Sequence, residues 1–130
     1  MGAGNDMRTP RARVRGLGSA KDGTGHFIAQ RVTAVAMIPL ALALIAAIVS
    51  QLGASHADFK AFLSNPLVAV GFLLLIFTGT HHMRLGMQVI IEDYVHGEGL
   101  KVLALVGNTF FAIVIAAVAG FSVLKLALGA

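Results

Sequence analysis

The sequence predicts an all-α integral membrane protein of three spanning helices. Three observations carry that reading. Of the 130 residues only 12% are charged and 57% are hydrophobic, whereas a soluble domain has about a quarter charged. Residues 32–52, 66–91 and 102–124 each supply the ~20 largely apolar positions that a membrane span requires. Finally, Arg8, Arg11, Arg13, Arg15 and Lys21 precede the first apolar run, while the first loop offers Lys60 and the tail Lys125. That asymmetry places the N-terminus in the cytoplasm, the loop after the second span inside and the C-terminus outside.

Taken in order, residues 1–25 are rich in Gly, Arg and small polar side chains without apolar periodicity, and form a basic cytoplasmic arm expected to be extended or disordered. The arm can bind anionic lipid head groups or an acidic face of a partner. Nucleic acid is a poor match, since no aromatic residue accompanies the charges. Residues 26–130 form the anchor domain, with helices expected at about 28–52, 66–91 and 101–126. The first run is too long and too far from the start for a signal-peptide core, so it reads as a retained span. Between the first two spans, Phe59, Phe62 and Leu63 sit at amphipathic spacing, which predicts a short interfacial helix ending before Pro66. In the third run Ala112, Ala116 and Gly120 recur every fourth residue, a pattern that lets membrane helices approach closely.

Ionisable residues inside a span are costly and mark candidate functional sites. The second span holds His81, His82 and Arg84. Projected at about 100° per residue, Gly71, Leu75, Thr78, Gly79, Gly86, Val89 and Asp93 fall on the side of His82. This low-relief face suits a flat macrocycle ligated by an imidazole, and equally suits a neighbouring helix with His82 in an interhelical hydrogen bond. The chain has no cysteine, which excludes disulfides, thiolate-held iron–sulfur clusters and covalently attached haem. A haem with two histidine ligands would need its second ligand from another polypeptide. His26, His56 and His96 lie near or beyond the apolar runs, and His81 diverges from His82 by about 100° on the same helix.

Arg84 points about 160° away from His82 and is expected to snorkel towards cytoplasmic head groups. His81 is expected to hydrogen-bond a neighbouring helix or a water near a haem edge. Arg31, one turn inside the first helix, is either a flanking anchor or a bidentate clamp for haem propionates. Tyr94, the one tyrosine, is either an interfacial belt residue or a donor to a quinone carbonyl. Asp93 beside it can orient Arg31 or relay protons.

The segment His82-x3-Gly86-x6-Asp93-Tyr94-Val95-His96-Gly97 closely resembles the second helix and following loop of the small cytochrome b membrane anchor of succinate dehydrogenase (complex II). Phe27-Ile28-x2-Arg31-x-Thr33-Ala34 resembles the beginning of that family's first helix. The resemblance spans three helices in order; it is specific around the second, weak in the third and in the arm. It implies that His82 is an axial ligand of haem b shared with a second cytochrome b anchor subunit, Tyr94 a ubiquinone hydrogen-bond donor supported by Asp93, and Arg31 a basic residue near the haem propionates. It further implies iron–sulfur and flavoprotein partner subunits, and succinate oxidation feeding ubiquinone reduction. His81 and Arg84 depart from the family pattern. With no transit-peptide signature, a bacterial inner membrane is the expected location. The alternatives are the anchor of a fumarate reductase and, in a different class, a small structural or ion-path membrane protein.

Overall fold

Backbone amides inside lipid have no water to bond, so an apolar chain of this length resolves into helices. The computed structural model describes residues 9–15 and 23–129. It contains α1 (Pro10–Val14), α2 (Gly23–Val49), α3 (His56–Leu63), α4 (Pro66–Tyr94) and α5 (Glu98–Ala127), with no strand among the described residues. Three of these, α2, α4 and α5, are long and apolar enough to cross a membrane.

The helix ends differ from the expected ones in physically legible ways. The arm is helical at Pro10–Val14 rather than extended, while Arg8 and Lys21 lie outside the described residues. The first span takes in Gly23 to Gly25, because propagating a formed helix costs far less than nucleating one. It stops at Val49 instead of residue 52, where a series of turns ends on Gly53 at φ 83°, a left-handed conformation open to glycine. The second span runs on through Glu92 and Tyr94, since the Gln88 side-chain amide donates to Glu92 at 2.8 Å across one turn. The third begins at Glu98, whose charge suits a helix N-terminus.

The amphipathic connector is capped at both ends. The Asp58 N–H donates to Ser55 Oγ at 3.2 Å and the Ser55 backbone N–H donates to Asp58 Oδ2 at 3.2 Å, a reciprocal capping box, and the Ser55 hydroxyl donates to the same carboxylate at 2.6 Å. Asn65 caps α4 by accepting from the Leu67 N–H at 3.0 Å, with Pro66 at the first helical position. Lys60 Nζ donates to the Gly129 carbonyl at 3.0 Å, tying α3 to the end of α5.

In the packing, α4 lies between α2 and α5, and those two make no backbone contact with each other among the described residues. The spans are therefore an open layer, not a closed bundle. Few side chains are buried, Leu44, Ala69, Leu85, Ala112 and Val123 among them, and most of the apolar surface is left for lipid or partner. Glycines set both seams. A methyl group on Gly71, Gly79 or Gly86 would meet Leu44, Met37 or Gln30 of α2, and one on Gly120 would stand 3.5 Å from the Phe77 ring of α4. Seven-residue steps along α2 thus interleave with the small residues of α4, and the small-residue stripe of α5 is a packing surface, as expected.

Two outcomes follow. Gly120→Ala should leave thermal stability in detergent nearly unchanged, because the added methyl finds ordinary contact, whereas Gly120→Leu should cost about 1–3 kcal/mol through overpacking. Hydrogen bonds from Ser55 hold the Asp58 carboxyl below its ordinary value of 3.8. A carboxyl depressed in the folded state stabilises above its unfolded value and loses that contribution as pH falls through the lowered one. The protection of the first-turn amides of α3 relative to their intrinsic exchange rates should therefore fall below about pH 4, and Asp58→Asn should abolish that loss of protection.

Candidate functional site

His82 sits in the α2–α4 seam, half-buried, with both ring nitrogens facing polar groups of α2. Its Nδ1 is 3.0 Å from Thr33 Oγ1 and its Nε2 is 3.4 Å from Gln30 Nε2. The Thr33 hydroxyl has a single proton and lies 2.7 Å from the Ala29 carbonyl, its shortest contact. That proton goes to Ala29, so Oγ1 accepts and His82 Nδ1–H donates. The Nε2 lone pair is then free to accept from the Gln30 amide. This tautomer follows from the network. It is also the state in which an imidazole ligates a metal, with the second nitrogen donating to a fixed outer partner. Gln30 Oε1 is buried without a hydrogen-bond partner, a costly condition for an amide oxygen, so this seam has spare acceptor capacity beside His82.

Towards the Asp93 end the same two helices diverge around a cavity of about 510 Å³, lined by His26, Phe27, Gln30 and Arg31 of α2 and by Leu85, Gln88 and Glu92 of α4. Because α2 begins at Gly23, Arg31 lies two turns inside the helix, about 12 Å from its start, rather than one. Helical side chains lean towards the N-terminus of their own helix, which for α2 is the near end. The Arg31 guanidinium accordingly lies over the Phe27 ring, 5.1 Å from its centroid, a cation–π contact one turn nearer that end.

Arg31, Gln30, Thr33 and His82 are thus brought into one continuous seam. Tyr94 and Asp93 are not. Both are exposed on the last turn of α4, Tyr94 at 76%, and neither lines the cavity. They stand about 16–18 Å along the helix from His82, so in this chain they form an open edge. His81 and Arg84 lie on the other side of α4, where with Thr80 and with Thr109, Ala112 and Ala116 of α5 they line a groove of about 320 Å³. Snorkelling to the Asp93 end was the expectation for Arg84. The structure places it on the wall of this groove, which continues from Arg84 towards Phe77. An arginine at the centre of a span costs about 2.5–3.5 kcal/mol on insertion scales.

Sequence reasoning missed Gln30 and Thr33 as partners of His82, and Asn108, whose side-chain amide donates to the Arg84 carbonyl at 2.9 Å. Thr33 and Asn108 are polar residues within apolar runs and Gln30 stands just before one, which is the available signal. Which helix each one addresses is not. Among the described residues no group of three or more His, Cys, Asp or Glu side chains could hold a bare metal ion.

The family described as "Succinate dehydrogenase/Fumarate reductase transmembrane subunit" matches residues 5–124. The chain is 31% identical over 122 residues to the succinate dehydrogenase hydrophobic membrane anchor subunit of Paracoccus denitrificans, covering 94% of each chain. It is 30% identical over 111 residues to the protein of that name from Rickettsia bellii, covering 83% of this chain and 86% of the relative. A succinate dehydrogenase membrane anchor subunit of Reclinomonas americana is 30% identical over 88 residues, 65% of this chain and 73% of the relative. No solved structure matches the chain at a significant level.

The Asn108 bond joins α5 to α4 at the level of Arg84. Interhelical polar bonds in membranes contribute about 0.6 kcal/mol on average and about 1.7 at most. Asn108→Ala should therefore lower unfolding free energy in bicelles within that range, and a larger loss would mean that Asn108 supports more than this one contact.

Proposed function

The chain belongs to the succinate dehydrogenase/fumarate reductase transmembrane subunit family, and on that premise we propose that it anchors a succinate:ubiquinone oxidoreductase in a bacterial inner membrane, shares haem b with a second anchor subunit and forms one edge of the ubiquinone site. The N-terminal arm is cytoplasmic in this reading, and the iron–sulfur and flavoprotein subunits dock on that side. In this reading the chain contributes to an enzyme as a subunit.

The observation that carries the reading is the His82 seam: a mid-span imidazole whose Nδ1–H is held by Thr33 and whose Nε2 keeps its lone pair. That donor set fits a haem better than a bare ion, since a porphyrin would supply most of the iron's ligands and this chain would need to add only one imidazole. His82 would hold the iron from this chain, Thr33 would fix the ring, and Arg31 would face the propionates from the cavity mouth. Gln30 would yield its place beside Nε2, a small move for a flexible side chain. Bound haem would supply a one-electron carrier between the soluble subunits and the membrane. We place His81 outside the haem's immediate surroundings, because it lines the opposite groove.

For the quinone, the exposed Tyr94 hydroxyl is a donor at the membrane edge, where a carbonyl can accept its proton while water remains accessible. Asp93, adjacent and exposed, can pass a proton from that water. The remaining walls of such a site come from partner chains. The ion-path alternative requires His81, His82 and Arg84 to line one route, yet His82 faces α2 while the other two face α5. The names of the relatives favour succinate oxidation over fumarate reduction as the direction.

Three measurements on the complex purified from membranes test this. His82→Leu should abolish the low-spin bis-imidazole haem signal and His81→Leu should preserve it; the reverse pattern would sink the assignment. Thr33→Val should keep the signal but weaken haem retention by about 10- to 100-fold, the usual cost of losing an outer partner. Tyr94→Phe should slow ubiquinone reduction by about 2- to 10-fold, the worth of a hydrogen bond, and spare succinate oxidation with an artificial acceptor.

A further inference from the structure

The groove between α4 and α5 is unused by the reading above. It holds the cation of Arg84 and the imidazole of His81, with the aromatic edge of Phe77 at its far end and Ile113 and Ala116 along its α5 wall. The hydroxyls beside them are committed elsewhere. Thr80 donates to the Ile76 carbonyl at 2.7 Å and Thr109 to the Leu105 carbonyl at 3.0 Å. Among the described residues the Arg84 guanidinium has no hydrogen bond or ion pair.

Nor can the spans of this chain supply an anion at that depth. The carboxylates of α4 and α5 are Glu92, Asp93 and Glu98, all at one end, and α2 has none. Arg84 lies nine residues, about 14 Å, from Asp93. Its side chain leans further from that end, and so does the groove. A lipid phosphate stays at the interface, whereas this groove runs from Arg84 towards Phe77, away from the Asp93 end. A second copy of this chain would bring no mid-span carboxylate either. A charge held within a span is ordinarily paired, and no carboxylate of the described spans stands at that depth to pair it.

We propose that the α4–α5 groove receives a transmembrane helix of another subunit bearing an aspartate or glutamate at the depth of Arg84, which pairs with the guanidinium and accepts from His81. The occupant is defined by its chemistry: a carboxylate on an apolar helix, entering beside the small side chains Ala112 and Ala116. The inference rests on membership of a multi-subunit membrane complex and not on haem ligation by His82, which faces the other way.

The test uses the assembled complex in native membranes. A benzophenone amino acid replaces Ile113, on the groove wall, or Val118, exposed on α5 outside the groove. Illumination should link position 113 to a peptide of another membrane subunit carrying an intramembrane Asp or Glu near the linked residue, and position 118 should not give that product. Arg84→Gln should lower the yield at 113 by roughly tenfold or more, the scale of a broken desolvated charge pair. Arg84→Asp combined with replacement of the identified carboxylate by arginine should restore it. Links from 113 only to lipid, to quinone or to a second copy of this chain would overturn the proposal, as would a partner helix without a carboxylate or an undiminished yield in Arg84→Gln. The haem spectrum is recorded on the same samples; Arg84→Gln should leave it intact, so failure here is distinguishable from failure of the haem assignment.

Discussion

Within lipid, a polar side chain has only another helix, a cofactor or a distant membrane face to answer it, and this constraint organises α4. The helix carries His82 on one side and His81 with Arg84 on the other. It therefore lies in the middle of the layer, with α2 answering the first side and α5 flanking the second. The apolar residues would accept many arrangements, since lipid tails resemble leucine. The polar ones accept few.

Helix direction gives that constraint a second consequence. Side chains lean towards the N-terminus of their own helix, and α2 and α4 are antiparallel. Arg31 on α2 therefore reaches back over Phe27 towards the end shared with Asp93, whereas Arg84 on α4 lines a groove that continues towards Phe77. Two arginines at comparable distances from the same face have opposite relations to it. One stands at the mouth of the cavity beside His82, where anionic groups of a cofactor fit; the other remains inside a groove that no carboxylate of these spans can reach.

The same glycines that suggested a flat surface for a macrocycle also fit helix packing, and the structure shows where each interpretation applies. Gly71, Gly79 and Gly86 accept Leu44, Met37 and Gln30, so along most of its length this face is a helix seam. Near His82 the seam changes character. Gln30 has an unsatisfied carbonyl, Thr33 fixes an imidazole proton, and beyond them the helices separate around a cavity. Packing through small residues and a polar opening are successive parts of one surface.

The sequence by itself determined the number of spans, the interfacial connector and the residues worth chemical attention, because hydropathy and spacing act locally and lipid enforces helices wherever they are apolar. The motif around His82 and Asp93-Tyr94 was also enough to point to the family. Helix ends were off by a few residues, since they depend on side-chain bonds such as Gln88 to Glu92 and on the left-handed turn at Gly53. Only the tertiary structure decided that Thr33 and Gln30 answer His82, that Tyr94 stays on an open edge, and that His81 and Arg84 share a groove with α5. Those outcomes depend on which face of one helix meets which face of another, a choice made by packing between residues far apart in the chain.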